Sequence, residues 1–378
     1  MAGRYPAQLC SASLEGLSLL GNMDADRFSG CLLGLACGDA LGFPVELSVD
    51  KAATHETTTS HLASVEAYVK QCEEALATSS PPPLPKGACA FGQVSDDTQL
   101  AIALGLSLVA CDGRLDGANF SARVLDAFEQ GVMGPGRTTL DAVRKLRHSG
   151  VDSWRSSGGD SPSNGGAMRV APLGLVLAAA PLSTLVGAVV DSCTPTHRHP
   201  ESAAAAAAIA AGVAYCARAP WGTLQPPDFV AAASAGASAV PGGARVAAAV
   251  AAVDGWCSLT LGEARALCSA LDPRSAPTPG GVSGDAAASV AWAIYAFASN
   301  AESLPRTLFT AIRGGGDTDT TAAMAGALVG AYLGVEAVPL SWQAALHDAM
   351  AETNAASLTQ LASSLYQLRW AQSGERSI

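Results

Sequence analysis

Two acidic clusters carry the clearest chemical signal in the chain. Ser95-Asp96-Asp97-Thr98 stands between a glycine-containing loop and an apolar run, which places it at the entrance of a helix. One Ser or Asp is enough to cap a helix, so two adjacent carboxylates exceed what capping requires. The stretch Gly314-Gly315-Gly316-Asp317-Thr318-Asp319-Thr320-Thr321 repeats the arrangement in front of a second apolar helix. Its glycines let the backbone turn tightly and approach a ligand, while Asp317 and Asp319 offer oxygen ligands with hydroxyls beside them. Carboxylates and hydroxyls are hard donors. If the two clusters meet in space they suit a pair of Mg²⁺ or Mn²⁺ ions, whereas zinc would call for nitrogen or sulfur.

Glu46 is a third acidic position, on a loop that follows Pro44, where the first helix should end. A carboxylate there could reach into a site, but its local sequence favours a solvated surface Glu. The loop Ser161-Pro162-Ser163-Asn164-Gly165-Gly166 leads into an apolar helix and has the make-up to grip a phosphate or sugar through backbone amides. Gly134-Pro135-Gly136-Arg137 has the same character, and for both the plain alternative is an ordinary loop. Thr196-His197-Arg198-His199-Pro200 lacks a third nitrogen ligand nearby, so a histidine that hydrogen-bonds a substrate or the backbone is the better reading than a metal pair.

The elements that must position these residues are helical. Alanine is abundant, aromatics are scarce, and no run alternates apolar and polar residues as a half-buried strand does. The pattern predicts an all-α protein with a single helical domain over residues 24–372, a flexible leader over 1–23 and a tail over 373–378. The first helix is expected to start near Met23 to Phe28, with Asp24 or Asp26 as its cap. Within it Gly30, Gly34, Gly38 and Gly42 recur every fourth residue and would let a neighbouring helix approach closely. Further helices are expected at about 97–111, 117–130, 137–148, 170–190, 200–218, 227–253, 261–271, 283–300, 303–313, 319–333 and 341–372, with 51–75 open between helix and loop. Consecutive prolines exclude a helix at 79–87, which reads as a surface linker.

A formal net charge of −11 opposes attraction to nucleic acid or anionic lipid, so an anionic substrate would need a locally favourable site. The ten cysteines are scattered singly without a zinc or disulfide spacing, which favours a reducing compartment. A cytoplasmic location is expected, with organelle targeting left open, because the N-terminus lacks a basic stretch followed by a continuous apolar run. Residues 170–190 carry no charge over a length that could span a bilayer, but two prolines and an alanine-rich make-up favour a pair of buried helices. No membrane association is expected, and a monomer is the default.

Taken in order, GLACGDALGFPVE (34–46), SDDTQLAIAL (95–104), GPGRTT (134–139), SNGGAMRVAPLGL (163–175), THRHPES (196–202) and GGGDTDTTAAMAGALVG (314–330) resemble the ADP-ribosylglycohydrolase family, over residues 24–335. The GDTDTT and GLACGDALG stretches look closest to the dinitrogenase-reductase-activating glycohydrolases. The resemblance implies a compact orthogonal bundle of helices with two divalent metal ions, Mg²⁺ or Mn²⁺, at the bottom of an ADP-ribose cleft. By motif it makes Ser95, Asp96, Asp97, Asp317, Asp319 and Thr320 metal ligands, with Asp319 shared by both ions. It assigns Glu46, Asp97 and Asp319 to catalysis, and Gly134, Gly136, Ser161, Ser163, Asn164, Gly165 and His197 to the diphosphate and distal ribose. The expected activity is removal of ADP-ribose from a modified protein side chain, arginine favoured, or from a small acceptor. The alternatives are an O-linked hydrolase acting on serine, acetylated or polymeric ADP-ribose, and a catalytically silent ADP-ribose binder. A helical Mg²⁺ prenyl-diphosphate enzyme is disfavoured, since DDTQL lacks the third aspartate of such sites.

Overall fold

The computed structural model describes residues 14–46, 55–80, 84–85, 88–274, 281–349, 351 and 353–372. Among them there is no strand, only isolated bridges between loops. The helices in chain order are α1 Leu14–Gly42, α2 His55–Ala77, α3 Asp96–Ala110, α4 Gly117–Gln130, α5 Arg137–Ser149, α6 Trp154–Ser157, α7 Ala171–Val176, α8 Leu182–Cys193 and α9 Pro200–Arg218. They continue as α10 Pro226–Ser238, α11 Ala244–Trp256, α12 Leu261–Ser269, α13 Ala286–Ala298, α14 Leu304–Ile312, α15 Thr318–Leu333, α16 Leu340–Ala345 and α17 Ala355–Gln372.

Four of the expected boundaries need correction. Helix α1 begins at Leu14, inside the stretch assigned to a leader, so Asp24 and Asp26 lie within a helix of good helix formers and not at its cap. The segment 170–190 breaks at Leu177–Pro181, because Pro181 cannot donate into a continuing helix, and α7 and α8 result. The segment 227–253 breaks at Pro241-Gly242-Gly243, where Gly242 takes a positive φ of 87°. The segment 341–372 ends its first helix at Ala345, and α17 starts after the intervening loop. Of the Pro-rich stretch 79–87, residues 81–83 and 86–87 lie outside the described residues, and the others are non-helical.

Three helices form the centre, α1, α15 and α9. Along α1 the glycine row faces α15 so closely that a methyl at Gly38 would fall on the carbonyl oxygen of Ala322, and one at Gly34 on that of Gly326. The reverse holds too, since Gly326 and Gly330 of α15 meet the carbonyls of Gly34 and Gly30. Backbone-to-backbone packing of this kind is possible only between residues without side chains, and it fixes the axial register of the two helices. The other central helix is α9, whose alanine tract 203–208 is buried and packs against α7, α8, α10, α13 and α15. Both α9 and the Ala25–Val45 segment are long and apolar enough to cross a membrane by composition, and 83% of the apolar window of each is buried inside the bundle.

One polar bracket ties three helices together behind the Ser161–Gly166 loop. Arg245 of α11 donates from Nε (2.8 Å) and Nη2 (2.7 Å) to the two carboxylate oxygens of Glu201 on α9, and from Nη2 (2.8 Å) to Asp285. Asp285 in turn caps α13 by accepting from Ala287 and Ala288, and its main chain bridges Ser163.

Candidate metal and ADP-ribose site

Docking α1 on α15 brings Asp39 to Asp319, and the entrance of α3 closes on both. Carboxylate oxygens of Asp39, Asp97 and Asp319 lie within 4.8 Å of one another, as do those of Glu46, Asp317 and Asp319. The two groups share Asp319. Asp39, Asp96, Asp97 and Asp319 are all buried, while Glu46, beyond the Phe43–Val45 turn that ends α1, is exposed as a residue but has its carboxylate end against Asp317 and Asp319, where it is shielded from solvent.

Each carboxylate has a traceable reason for its position. Ser95 caps α3 by accepting from the Asp97 amide (3.4 Å), and its hydroxyl donates to Asp97 Oδ2 (3.2 Å). Thr320 donates through Oγ1 to the same oxygen (3.4 Å) and through its amide to Asp319 Oδ1 (2.8 Å). Asp317 occupies the cap position of α15 but makes no side-chain cap bond; its Oδ2 accepts instead from Asn164 Nδ2 (2.7 Å). Gly316 approaches that turn at a positive φ of 71°, and its amide donates to His61 Nε2 of α2 (3.1 Å).

Concentrating these groups has an electrostatic cost. Burial and then Asp39, Asp96 and Asp317 push the Asp97 carboxyl well above the usual range, and burial followed by Glu46, Asp97, Asp317 and Asp39 does the same to Asp319. Asp96 is raised by burial and by Asp39, Glu46 and Asp317, against a lowering field from buried Arg169. Asp39 is pushed up to about 6 by burial, despite hydrogen bonds from Thr98 and Ser95, and Glu46 to about 7 by burial, Asp317 and Asp39. Asp97 Oδ1 is buried without a hydrogen-bond partner. Divalent cations are what such a set of hard, mutually repelling and incompletely bonded oxygens can hold.

Two of the loops expected to hold a ligand touch this cluster, one at Gly134 and one at Asn164. Gly134, at a positive φ of 72°, lies beside the Phe43 ring and Asp96. The Met133 carbonyl accepts from the Asp96 amide (2.8 Å), and the Met133 amide donates to Gln99 Oε1 (3.0 Å), so the first turn of α3 clamps that loop. Asn164 links the Ser161–Gly166 loop to Asp317, and Gly165 lies against the His197 ring. Ser202 donates to the carbonyls of Ser161 (2.8 Å) and Ser163 (2.6 Å), fixing the loop from behind. Ser161 lines an open pocket of about 540 Å³ with Arg137, Thr138, Asp141, Lys145, Gly159 and Asp160, and Gly136 caps α5 immediately before Arg137. His197 is buried, whereas His199 caps α9 by accepting from the Glu201 amide (3.2 Å).

Asp39 was not singled out from the sequence. Its Oδ2 accepts from the Ser95 amide (2.9 Å), the Thr98 amide (3.2 Å) and the Thr98 hydroxyl (2.5 Å), so it anchors the entrance of α3. The signal available was a lone carboxylate between Gly38 and Gly42, inside the otherwise apolar interior of α1. His61 and Gln99 gave no comparable signal.

The profile of the ADP-ribosylglycohydrolase family matches residues 21–375. The chain belongs to the ADP-ribosylglycohydrolase family. A solved structure described as an ADP-ribosylglycohydrolase-related protein complex superposes with a TM-score of 0.64 at 25% identity, covering 92% of this chain and 99% of that one. The ADP-ribosyl-[dinitrogen reductase] glycohydrolase of Rhodospirillum rubrum is 31% identical over 48% of this chain and 54% of its own length. The uncharacterized protein YegU of Escherichia coli is 29% identical over 50% and 53%. The chain thus spans about half the length of these curated relatives. A shorter match, 63% identical over 11% of each chain, is to the human ADP-ribosylhydrolase ARH3. Residues 34–46, 95–104 and 314–330, which carry the ADP-ribosylglycohydrolase resemblance, are the ones the fold brings to a single carboxylate centre.

Proposed function

We propose that this protein is a metal-dependent hydrolase that releases ADP-ribose from a modified protein side chain, arginine favoured, or from a small acceptor. The observation that carries the reading is the pair of carboxylate groups sharing Asp319, set within an ADP-ribosylglycohydrolase fold. Ser95, Asp96, Asp97, Asp317, Asp319 and Thr320 would hold two Mg²⁺ or Mn²⁺ ions, and the orphaned Asp97 Oδ1 fits that role. When bound, such ions orient sugar hydroxyls and lower the pKa of a coordinated water.

The chain's own residues supply the rest. The Ser161–Gly166 and Gly134–Gly136 loops would offer backbone amides and small side chains to an ADP-ribosyl group, and Asn164 ties the first of them to the carboxylates through Asp317. Breaking a glycosyl bond builds positive charge on the sugar, which neighbouring carboxylates stabilise. Glu46, exposed as a residue and held near neutrality, is suited to exchange a proton with water or with the departing acceptor.

The test is hydrolysis of ADP-ribosyl-arginine, ADP-ribosyl-serine and an ADP-ribose ester, each with and without Mg²⁺ or Mn²⁺. Metal-dependent release from one of them supports the reading and names the linkage. Measurable ADP-ribose binding with no release from any would replace it with a silent binder.

A further inference from the structure

Behind the ligand loop runs a buried chain of polar side chains that the reaction scheme above does not use. Arg169 is 1% exposed, packs its guanidinium 5.3 Å over the Phe120 ring, and donates from Nη2 to the Thr196 hydroxyl (2.5 Å) and to the Ser192 carbonyl (3.3 Å). The same Thr196 Oγ1 lies 2.9 Å from His197 Nδ1. His197 is 3% exposed, and a methyl added at Gly165 would stand 2.5 Å from its Cε1 and 2.7 Å from its Nε2. The Nε2 edge of the ring therefore fills the space that the missing side chain of Gly165 leaves in the ligand loop.

The direction of these hydrogen bonds follows from which arrangement leaves no proton poorly bonded. A guanidinium has donors only, so Thr196 Oγ1 must accept from Arg169. The hydroxyl has one proton to give. Its candidate acceptors are His197 Nδ1 at 2.9 Å and the Cys193 carbonyl at 3.5 Å, the second at the limit of a useful bond. The reverse arrangement, with Nδ1–H donating to the second lone pair of Thr196 Oγ1, would leave the hydroxyl proton only the 3.5 Å contact, so the geometry favours donation to Nδ1. A ring that accepts at Nδ1 and is neutral carries its own proton on Nε2. Burial and then the Arg169 charge hold the ring neutral, pushing its pKa down to about 3.

We propose that Arg169 and Thr196 are positioning residues that fix His197 as the Nε2-protonated tautomer, presenting one N–H donor to an acceptor oxygen of an ADP-ribosyl group in the Ser161–Gly166 loop. The ligand half of this inference rests on the proposed function; the tautomer half stands on the side-chain geometry and on the burial that keeps the ring neutral. A buried neutral histidine in the other tautomer would turn a lone pair towards the ligand oxygens and repel them.

The experiment uses the full chain with ¹⁵N-labelled histidine, read by long-range ¹H–¹⁵N correlation, alongside calorimetric binding of ADP-ribose and of Mn²⁺. The expected wild-type result is a protonated Nε2 and an unprotonated Nδ1 for His197, with no titration between pH 6 and 8 (an interval that brackets the ordinary histidine pKa of about 6.5). Thr196→Val should lose the fixed tautomer and weaken ADP-ribose binding about fivefold to tenfold, the range for one lost hydrogen bond, with Mn²⁺ affinity unchanged. Thr196→Ser should restore both. A wild-type spectrum with the proton on Nδ1 overturns the proposal whatever the variants do. So does a Thr196→Val protein that keeps the Nε2 tautomer and full ADP-ribose affinity. Wild-type protein with the expected tautomer but no ADP-ribose binding overturns the ligand half and, separately, the proposed function.

Discussion

Two acidic clusters in the same molecule are built on opposite principles. Around Arg245, Glu201 and Asp285 are matched: the guanidinium donates to both carboxylates and to the Leu271 carbonyl (2.9 Å), and Asp285 also caps α13. Side-chain bonding from Arg245 accordingly holds Glu201 below the usual carboxylate range. At the α1–α3–α15 junction, Asp39, Asp97 and Asp319 have hydroxyls and amides for partners but no cation bonded to them among the described residues; burial and mutual repulsion raise all three. The first cluster spends its charges on holding three helices together. The second is held in place by surrounding structure at a cost in stability, the condition of a site built for a ligand that brings positive charge.

The comparison breaks most completely at Asp319. Asp319→Ala and Asp97→Ala should each abolish metal-dependent turnover while making the metal-free protein harder to unfold, since each removes a buried, repelled carboxylate. Wild-type-like hydrolysis by either purified variant would sink the assignment. The matched cluster should respond the other way. Arg245→Met leaves Glu201 and Asp285 uncompensated and should cost about 2–3 kcal/mol in denaturant unfolding, below the range of a fully buried pair because Arg245 keeps some solvent. Its Mn²⁺ affinity should stay at the wild-type value, and a large loss there would show that the two clusters are not independent.

The register between α1 and α15 supplies a third contrast. Gly38→Ala places a methyl on the Ala322 carbonyl and should cost about 1–3 kcal/mol as the helices part. Because Asp39 follows it directly, Mn²⁺ affinity should fall as well. Gly136→Ala, where an added methyl meets nothing within 4 Å, should leave stability unchanged, so equal melting shifts for the two would contradict the packing argument.

The smallest effect is on pH dependence. Asp39 at about 6 and Glu46 at about 7 hold protons in the folded chain that the unfolded chain has already released. A raised carboxyl pKa stabilises the folded state at low pH, and that contribution is lost as pH rises through the folded value. For the metal-free protein, stability should therefore decline from about pH 4 to pH 7, by about 2 kcal/mol from Asp39 alone, with Mn²⁺ removing the slope. Thermal unfolding at a series of pH values, with and without Mn²⁺, measures it; a metal-free protein that gains stability over that interval would reverse the sign and refute the charge argument.

What could be read from the sequence was what local pattern determines. Asp96, Asp97, Asp317 and Asp319 stood out because carboxylates crowd helix entrances beside glycines, and the glycine row of α1 announced a close helix contact without naming α15 as the partner. Helix ends were misjudged where one proline or a Pro-Gly-Gly turn divides a continuous apolar stretch, as at Pro181 and Pro241, since apolar composition persists across the break. The role of Asp39, marked only as a lone carboxylate in an apolar helix, and those of His61, Gln99 and the Arg169–Thr196 chain have a different origin. Their partners are remote in sequence or lie on other elements, and only tertiary docking reveals that Asp39 anchors the entrance of α3 or that Arg169 reaches Thr196.

Whether the two carboxylate groups sharing Asp319 form one binuclear centre is decided by calorimetric titration of Mn²⁺ into the metal-free wild type and Asp319→Asn. The account predicts two ions per wild-type chain and loss of both from the variant, because each group needs the shared carboxylate. An absence of Mn²⁺ binding by the wild type, or a variant that binds both ions as tightly, would contradict it.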